Sequence, residues 1–284
     1  MLWLGIAGHI LGFDTVLMQA WRIREPVMWL CEKLTGNRKL LGVNLVGGVR
    51  RDIPKSIHPE VNEILDRVFK ETKAVLNAVV NDTTLHMRCK NVGVITNKQA
   101  LDYALLGPTA RASGVAIDIR IDHPYAAYPE TGCEVIVETS EDIWGRVVVR
   151  IKETLEAVRI IRDSLKMMTD GPIIAKMDEK IPPGKVGLSS VEAPRGETHH
   201  FVITGEDNRP YRWKARAPTF QNLQGVPIMV LGDNVADVPI GLGSMDPCFS
   251  CTERLEVVDV RTGKLKVYSK KELFELAKNR FKKK

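Results

Sequence analysis

The cysteines Cys248 and Cys251 form the part of this sequence most able to do chemistry. A Cys-x-x-Cys spacing places two thiols on one turn, close enough to ligate one soft metal ion or to form a disulfide with each other. The pair can therefore be a metal site, a pair of redox thiols, or cysteines without a chemical role. Because two thiolates do not complete a tetrahedral site, a metal site requires further ligands from elsewhere.

The surroundings of the pair narrow the kind of metal or redox site. No second cysteine pair or histidine pair occurs at zinc-ribbon spacing, and no strand and helix flank the pair as in thioredoxin-like proteins. Soft thiolates also suit nickel and iron. The remaining cysteines, Cys31, Cys89 and Cys133, stand alone, which favours a reducing compartment over a disulfide scaffold.

Three further positions could act together with the thiols. Arg195 lies between a proline and a glycine in the segment 192–197, and its guanidinium stays charged at ordinary pH. It could fix a charged ligand or supply a positive field above a metal, or it could form a structural salt bridge. Thr219, next to the rigid Pro218, could donate to an anionic ligand, although an ordinary turn explains it equally well. Asp246 could accept from an arginine or orient a proton.

Helical periodicity predicts the elements that position these residues in the first part of the chain. The predicted helices are 2–22, a second one starting at Glu25-Pro26, 59–80, 97–106 and 141–168. The last of these has an apolar stripe from Ile143 to Leu165 that includes Ile161 and is predicted to be core. Residues 117–123 alternate isoleucine with polar residues, which predicts a short extended piece.

After Gly171-Pro172 the pattern changes to short extended pieces. The predicted strands are 199–204, 211–216, 255–260 and 265–268, and a last amphipathic helix is predicted over 270–281. The sequence therefore predicts an α+β, mainly helical fold with short strands in the C-terminal half. Its parts are a helical core over 1–172, a loop and strand region with the candidate site over 173–254, and a C-terminal tail over 255–284.

Composition and charge exclude several classes of function. A chain of 284 residues with 44% hydrophobic residues can bury a sizeable core. Part of the net charge of +6 lies in a basic tail without interleaved aromatics, which is typical of a solvated helix face and not of a nucleic-acid site. The apolar residues 1–13 are too few to span a bilayer and lack the features of a signal peptide, so a buried helix is predicted. Because no capping residue precedes this helix, we expect further sequence before it.

Five motifs are distinctive in combination: Asp246-Pro-Cys-x-x-Cys251, Glu192-Ala-Pro-Arg-Gly, Arg216-Ala-Pro-Thr-Phe-Gln-Asn-Leu, Ala236-Asp-Val-Pro-Ile and Gly47-Gly-Val-Arg-Arg-Asp. Together they resemble the large subunit of membrane-bound, energy-converting NiFe hydrogenases of the formate hydrogenlyase type. This group is related to the quinone-site large subunit of respiratory complex I. The complex I relatives share the Pro-Arg-Gly and Arg-Ala-Pro loops and lack the C-terminal cysteine pair, so the pair favours the hydrogenases.

The resemblance implies a cofactor and its ligands. It makes Cys248 a terminal nickel ligand and Cys251 a bridge between nickel and iron in a NiFe(CN)2CO centre. Thr219 and the backbone of Pro218 would contact the cyanide ligands of the iron. Iron–sulfur clusters would lie in partner subunits.

The resemblance also implies catalytic and processing residues. Arg195 would lie over the open coordination position and assist heterolytic cleavage of hydrogen, with Asp246 as its acidic partner. In formate-hydrogenlyase-type subunits a maturation protease removes the residues after the arginine that follows the cysteine pair. In this sequence that cut would fall between Arg254 and Leu255.

One departure from the family concerns the remaining metal ligands. The family carries a second Cys-x-x-Cys pair near its N-terminus, preceded by a histidine-arginine-glycine segment, and neither occurs here. We therefore expect either a large subunit split between two polypeptides or a truncated sequence. Activity would then require an N-terminal large-subunit polypeptide as a partner.

The function implied by the resemblance is reversible reduction of protons to H2. It would be coupled through an iron–sulfur small subunit and membrane subunits to ion translocation, with this chain peripheral at the cytoplasmic face of the cell membrane. No nucleic-acid partner is expected. Two alternatives remain: a complex I-like quinone or sulfur-compound oxidoreductase subunit without a NiFe centre, and a non-catalytic fragment scaffold.

Overall fold

The structure is a computed structural model in which two compact units, Met1–Pro247 and Cys248–Lys284, are distinguished. It describes residues 1–39, 42–176, 180–252, 257–258, 265–266, 268–269, 271–272, 274–275 and 278–279. Three predictions lie wholly or partly outside these residues: the strand over 255–260, the terminal helix over 270–281 and the cut at the Arg254–Leu255 bond. The three-part division at 172 and 254 stays a prediction.

The predicted α+β, mainly helical fold is confirmed. The helices of the first unit are α1 Leu2–Ile10, α2 Asp14–Thr35, α3 His58–Asn81, α4 Thr83–Cys89, α5 Asn97–Asp102, α6 Gly107–Arg111, α7 Ile119–Asp122, α8 Tyr128–Thr131, α9 Ile143–Met167, α10 Pro218–Asn222, α11 Val226–Val230 and α12 Val238–Ser244. Its strands are β1 Asn44–Leu45, β2 Gly48–Val49, β3 Val186–Ala193, β4 Gly196–Thr204 and β5 Pro210–Arg216. In the second unit, β6 Val257–Val258 pairs antiparallel with β7 Leu265–Lys266.

The first two helices divide at a different place from the predicted one. Gly12, with φ +85°, ends α1 in a left-handed turn that glycine adopts without steric cost. The second helix then runs without interruption through Pro26. Buried Ile23 and Leu30 flank this proline and pack in one core cluster, and this packing compensates for the hydrogen bond that proline removes. The predicted end of the first helix at residue 22 and the predicted start of the second helix at Glu25-Pro26 are therefore wrong.

The longest helices form the centre of the first unit. The side chains of α2, α3 and α9 share one buried apolar cluster. Asp142 starts α9 as its N-cap, with its carboxylate accepting from Gly145 N at 2.9 Å. The predicted stripe of α9 is core at Ile143 and Leu165, but Ile161 is 44% exposed and the neighbouring Ile160 is buried instead.

The first helix is buried on one face, as the apolar N-terminus predicted. Trp3, Leu4 and Ala7 join a second apolar cluster that contains residues of α9 and α12. On the opposite face Leu2 and Ile6 are 41% and 44% exposed. Among the residues described, no helix is both long enough and apolar enough to cross a membrane.

The strands β3, β4 and β5 form one antiparallel sheet in that order. Adjacent strands are joined by short turns, and the register pairs Ala193 with Gly196 and His199 with Arg216. The strands predicted over 199–204 and 211–216 are confirmed. The sheet brings the turn between β3 and β4 and the end of β5 towards the candidate site.

The predicted extended piece over residues 117–123 is wrong, since Ile119–Asp122 forms the short helix α7. Asp118 precedes it, and its carboxylate accepts from Arg120 N at 3.1 Å. Such local capping by an aspartate favours a helical turn over the extended conformation that the alternation indicated.

Candidate functional site

A two-residue hairpin turn presents Arg195. Strand β3 ends at Ala193 and β4 begins at Gly196, so Pro194 and Arg195 alone connect the two strands. Proline fixes the backbone of the first turn residue. Gly196 has a φ of +123°, which residues other than glycine rarely adopt. The sequence Pro-Arg-Gly thus specifies the turn itself.

The same hairpin rests directly on the backbone at the start of α6. A Cβ atom on Gly196 would lie 2.7 Å from Gly107 N. A Cβ atom on Gly107 would lie 2.4 Å from Arg195 O. Both positions therefore require glycine, and their close approach fixes the height of the arginine above α6.

Asn222 connects the hairpin to the Arg-Ala-Pro loop. This side chain, 1% exposed, accepts from Leu106 N at 2.8 Å and donates to Leu106 O at 3.2 Å. Its amide also donates to Arg195 O at 3.4 Å. Pro218 starts α10 and Asn222 ends it. Through Asn222, α10 therefore holds together the loop before α6 and the arginine turn.

Arg195 binds Asp246 at two points. Its Nε donates to the backbone oxygen of Asp246 at 2.5 Å, and its Nη2 donates to Oδ1 at 2.9 Å. The two side chains are 25% and 18% exposed. A pair this shielded from water is worth more than a surface ion pair, and its two contacts fix the orientation of the guanidinium.

Asp246 is itself held in an unusual conformation. It follows α12 with φ +58°, in the left-handed region where aspartate is one of the few tolerated residues. Its N–H donates to Gly243 O at 3.0 Å, and the same oxygen accepts from Trp3 Nε1 at 2.8 Å. The first helix therefore supports the backbone that carries the aspartate.

Arg195 and Asp246 face a cavity of about 530 Å³ within the first unit. The cavity is lined by side chains of α1, α9, the β3–β4 hairpin and the segments around α6, α7 and α12. The lining residues are Met1, Leu2, Trp3, Arg111, Arg120, Arg150, Glu153, Thr154, Ala157, Glu192, Ala193, Pro194, Arg195 and Asp246. A volume of this size can hold a small ligand or several side chains.

A buried ion network forms one wall of the cavity. Arg111, 2% exposed, donates to Glu153 at 2.7 Å and to Glu192 at 3.0 Å, and it lies 3.4 Å from Asp118. Burial raises the pKa of Glu192, against the opposing effect of Arg111. Burial also acts to raise the pKa of Asp118, but the hydrogen bond from Arg120 and the charge of Arg111 outweigh it and lower that pKa. The wall is therefore charged and polar.

The predicted anion contacts, Pro218 and Thr219, are both buried in the first turn of α10. Thr219 is 3% exposed. The structure places them on the short helix whose other end holds the Arg195 carbonyl through Asn222. Their assignment to a ligand stays a prediction.

Cys248 and Cys251 begin the second unit. Cys251 N donates to Cys248 O at 3.0 Å in a tight turn, and Cys248 Sγ lies 3.0 Å from Ser250 Oγ. Neither cysteine is in a disulfide. The turn thus presents two soft sulfur donors from one short segment.

These donors fit part of a nickel–iron centre. Thiolates are ligands that such metals prefer, and both sulfurs come from one turn, three positions apart in the sequence. Within the described part of the chain, no group of at least three histidine, cysteine, aspartate or glutamate side chains could hold a metal ion. The described residues therefore fit two ligands of such a centre and not a complete set.

Sequence reasoning missed several residues that build this site. Asn222 stood inside a recognised motif, but its bonds to Leu106 and Arg195 join segments far apart in sequence. Arg111 lies in a segment of small and polar residues that gave no sign of its role, yet it ends α6 and pairs with three carboxylates. Arg150 was also missed. The available signal was its position among apolar residues of α9, between Val149 and Ile151 and three positions after Val147.

Comparison with known proteins gives close relatives. The chain is 38% identical over 270 residues to formate hydrogenlyase subunit 5 of Escherichia coli (strain K12), covering 95% of this chain and 47% of that protein. It is 33% identical over 290 residues to membrane-bound hydrogenase subunit alpha of Pyrococcus furiosus, covering 96% of this chain and 67% of that protein. The chain thus spans about half the length of the first of these relatives.

Similarity also extends to a solved structure and to a family model. A chain in the structure of the membrane-bound sulfane sulfur reductase, an archaeal respiratory membrane complex, matches with a TM-score of 0.83 and 32% identity. This match covers 89% of this chain and 70% of that one. The family model described as the respiratory-chain NADH dehydrogenase, 49 Kd subunit, matches residues 11–187 and 177–254. With a match over most of its length, the chain belongs to the respiratory-chain NADH dehydrogenase 49 Kd subunit family.

Proposed function

We propose that this chain is the C-terminal part of the catalytic large subunit of a membrane-bound NiFe hydrogenase. Its reaction would be the reversible reduction of protons to H2, coupled to iron–sulfur electron transfer and ion translocation. The observation that carries the proposal is the Cys248–Cys251 turn, which follows by two positions the aspartate that Arg195 holds. The relatives named as hydrogenases support it.

Each residue has a chemical task in this proposal. Cys248 and Cys251 would supply soft sulfur ligands, and a bound nickel–iron centre would supply the chemistry that splits or forms hydrogen. Arg195 uses Nε and Nη2 to bind Asp246, and the residue lines the cavity in which a ligand would lie. Asp246 keeps this guanidinium oriented and balances its charge.

The remaining ligands would come from an N-terminal large-subunit polypeptide with its own cysteine pair. An iron–sulfur small subunit and membrane ion-translocating subunits would complete the assembly, which would place this chain peripherally at the cytoplasmic face of the membrane. The hydrogenase relatives, described as a formate hydrogenlyase subunit and a membrane-bound hydrogenase subunit, are the basis for these partners.

The test is co-expression with the polypeptide that carries the second cysteine pair, followed by metal analysis of the purified complex. We expect nickel and iron in equal amounts and hydrogen evolution with a reduced dye. Cys248→Ala should abolish nickel binding, whereas Cys133→Ala, which removes a half-buried thiol outside the pair, should not. An active complex without either metal would refute the proposal.

The second candidate is a quinone or sulfur-compound oxidoreductase subunit without a NiFe centre. The match to the sulfane sulfur reductase structure favours it, as does the 31% identity to a subunit of the NADH-quinone oxidoreductase of Clostridium beijerinckii. A metal-free complex that reduces a quinone or polysulfide at an unchanged rate after Cys248→Ala would establish this candidate. A complex in which neither reaction depends on this chain would indicate a scaffold.

A further inference from the structure

Arg150 differs from the other arginines of the cavity in its partners. Arg111 binds Glu153 and Glu192, and Arg195 binds Asp246. The fourth lining arginine, at position 120, binds Asp118. Among the residues that the structure describes, no carboxylate forms an ion pair with Arg150.

The guanidinium of Arg150 is held on two sides, and its third edge is buried without a hydrogen-bond partner among the described residues. Its Nη1 donates to Arg146 O at 3.1 Å, and its plane lies over the Trp3 ring, 4.1 Å from the centroid. Its Nε and Nη2 are shielded from solvent and have no hydrogen-bond partner within the described part of the chain. Buried donors left in this way are costly, so an acceptor that paired with this edge would be stabilising.

Two buried cations, Arg146 and Arg150, are neighbours at this edge. Arg146 lies one helical turn away, is fully buried, and donates to Ser244 Oγ and to Gly93 O, which are both neutral acceptors. Burial first, and then the charge of Arg146's neighbour Arg150, lower the pKa of Arg146 to about 9. Burial likewise lowers the pKa of Arg150 to about 10, so both remain charged at neutral pH. Asp246 and Glu153 act on Arg150 through their charge and oppose the effect of burial, but neither forms an ion pair with it among the described residues.

We propose that the Nε–Nη2 edge of Arg150 binds a carboxylate group inside the cavity. The two N–H groups on this edge are parallel and match the two oxygens of a planar carboxylate. Phosphate and sulfate fit less well, because the cavity also contains Glu153, Glu192 and Asp246, and a dianion would be repelled by them. The ligand is thus a monoanion, either a small free carboxylate or a carboxylate side chain of a polypeptide in the cavity.

Titration of the full chain with formate, and separately with acetate, tests this site. Saturation-transfer NMR detects the bound formate directly, and thermal unfolding detects the stabilisation. We expect saturable binding of both carboxylates, with sulfate and chloride at equal ionic strength giving none. Arg150→Gln should weaken formate binding about tenfold or more, the effect of losing charged hydrogen bonds.

Two further variants separate this effect from loss of folding or of net charge. Arg150→Lys keeps the charge without the paired N–H edge and should also lose the preference for carboxylates. Arg212→Gln removes the same charge from the exposed strand β5 and should bind formate as the unmodified chain does. Unchanged formate binding in Arg150→Gln, or equal binding of sulfate, would overturn the proposal.

The source of the carboxylate is resolved by adding the N-terminal partner polypeptide, an arm that depends on the proposed function. If the partner displaces formate, the ligand is a side chain of that polypeptide. If formate remains bound in the complex, the ligand is a small free carboxylate. Binding to Arg150 itself is measured without any metal, so a failed hydrogenase test leaves this inference standing.

Discussion

Arg195 binds both the backbone oxygen and the carboxylate of Asp246, at 2.5 and 2.9 Å, although the two residues are 51 positions apart in the sequence. The hairpin turn fixes one partner and the turn after α12 fixes the other. Each partner therefore has little freedom to move without the other. Both residues line the cavity, and Asp246 lies two positions before Cys248 in the sequence.

Replacing Asp246 by asparagine tests the role of its charge. Asn tolerates the φ of +58° and leaves the contact from Arg195 to the backbone oxygen in place, so the fold should be kept. In the proposed hydrogenase complex, we expect activity to fall about 10- to 100-fold, as for partners of metal-site residues. The measurement is hydrogen evolution, with nickel content as a second readout.

The matched control is Asp207→Asn. Asp207 is exposed and also has a left-handed backbone, with φ +54°, in the turn between β4 and β5. It lies in no cavity described above and should leave activity unchanged. Equal activity of Asp246→Asn and the unmodified complex would contradict a role for this carboxylate.

Gly196→Ala should destabilise the first unit. The new Cβ would lie 2.7 Å from Gly107 N at a φ of +123°, and strain of this kind costs about 1–3 kcal/mol. Urea unfolding of the full chain measures the change in the free energy of unfolding. Gly187→Ala is the control, since a Cβ there meets no atom within 4 Å, and it should be neutral or slightly stabilising.

Asn222→Ala should loosen the support of the arginine turn. It leaves Leu106 N and O without their partner, at about 1–3 kcal/mol for each buried group left unpaired. The loss is again measured by urea unfolding. The neighbouring Gln221→Ala removes one solvent-exposed hydrogen bond, from Gln221 to Tyr103 O, and should change stability by less than about 1 kcal/mol. Similar losses for the two variants would mean that Asn222 is not a specific clamp.

Acid sensitivity should depend on Glu197. Burial acts to raise its pKa, but the hydrogen bonds from Arg216 and Ser190 outweigh this and lower the pKa below its ordinary value of 4.5. The ionised form is therefore favoured in the folded state. Its contribution to stability is complete above pH 4.5 and is lost as the pH falls through the lowered pKa.

Unfolding free energies measured from about pH 6 to about pH 3 check this sign. Glu197→Gln should be less stable than the unmodified chain at the upper pH and should lose less stability on acidification. Glu206→Gln, at an exposed position of the β4–β5 turn, should follow the unmodified chain. A pH profile of Glu197→Gln identical to that of the unmodified chain would contradict the assignment.

Local sequence patterns predicted some elements well and others poorly. The strand pair and the long helix α9 follow from periodicity, because alternation and a 3.6-residue repeat each belong to one regular structure. The turn at Gly12 and the helix α7 were missed. In both, a single residue, Gly12 or Asp118, sets the backbone through its own conformation or cap, and hydrophobic periodicity carries no information about that.

The sequence by itself determined the family motifs, the spacing of Cys248 and Cys251 and the Pro-Arg-Gly turn, since each depends on residues that are neighbours along the chain. Only the tertiary structure decided which distant residues meet. The Asn222 clamp and the unpaired edge of Arg150 both depend on segments far apart in sequence, whereas the Arg195–Asp246 pair was expected from the resemblance and only its geometry came from the structure. Whether an arginine has a carboxylate partner depends on how helices and hairpins pack, and residue type alone does not decide it.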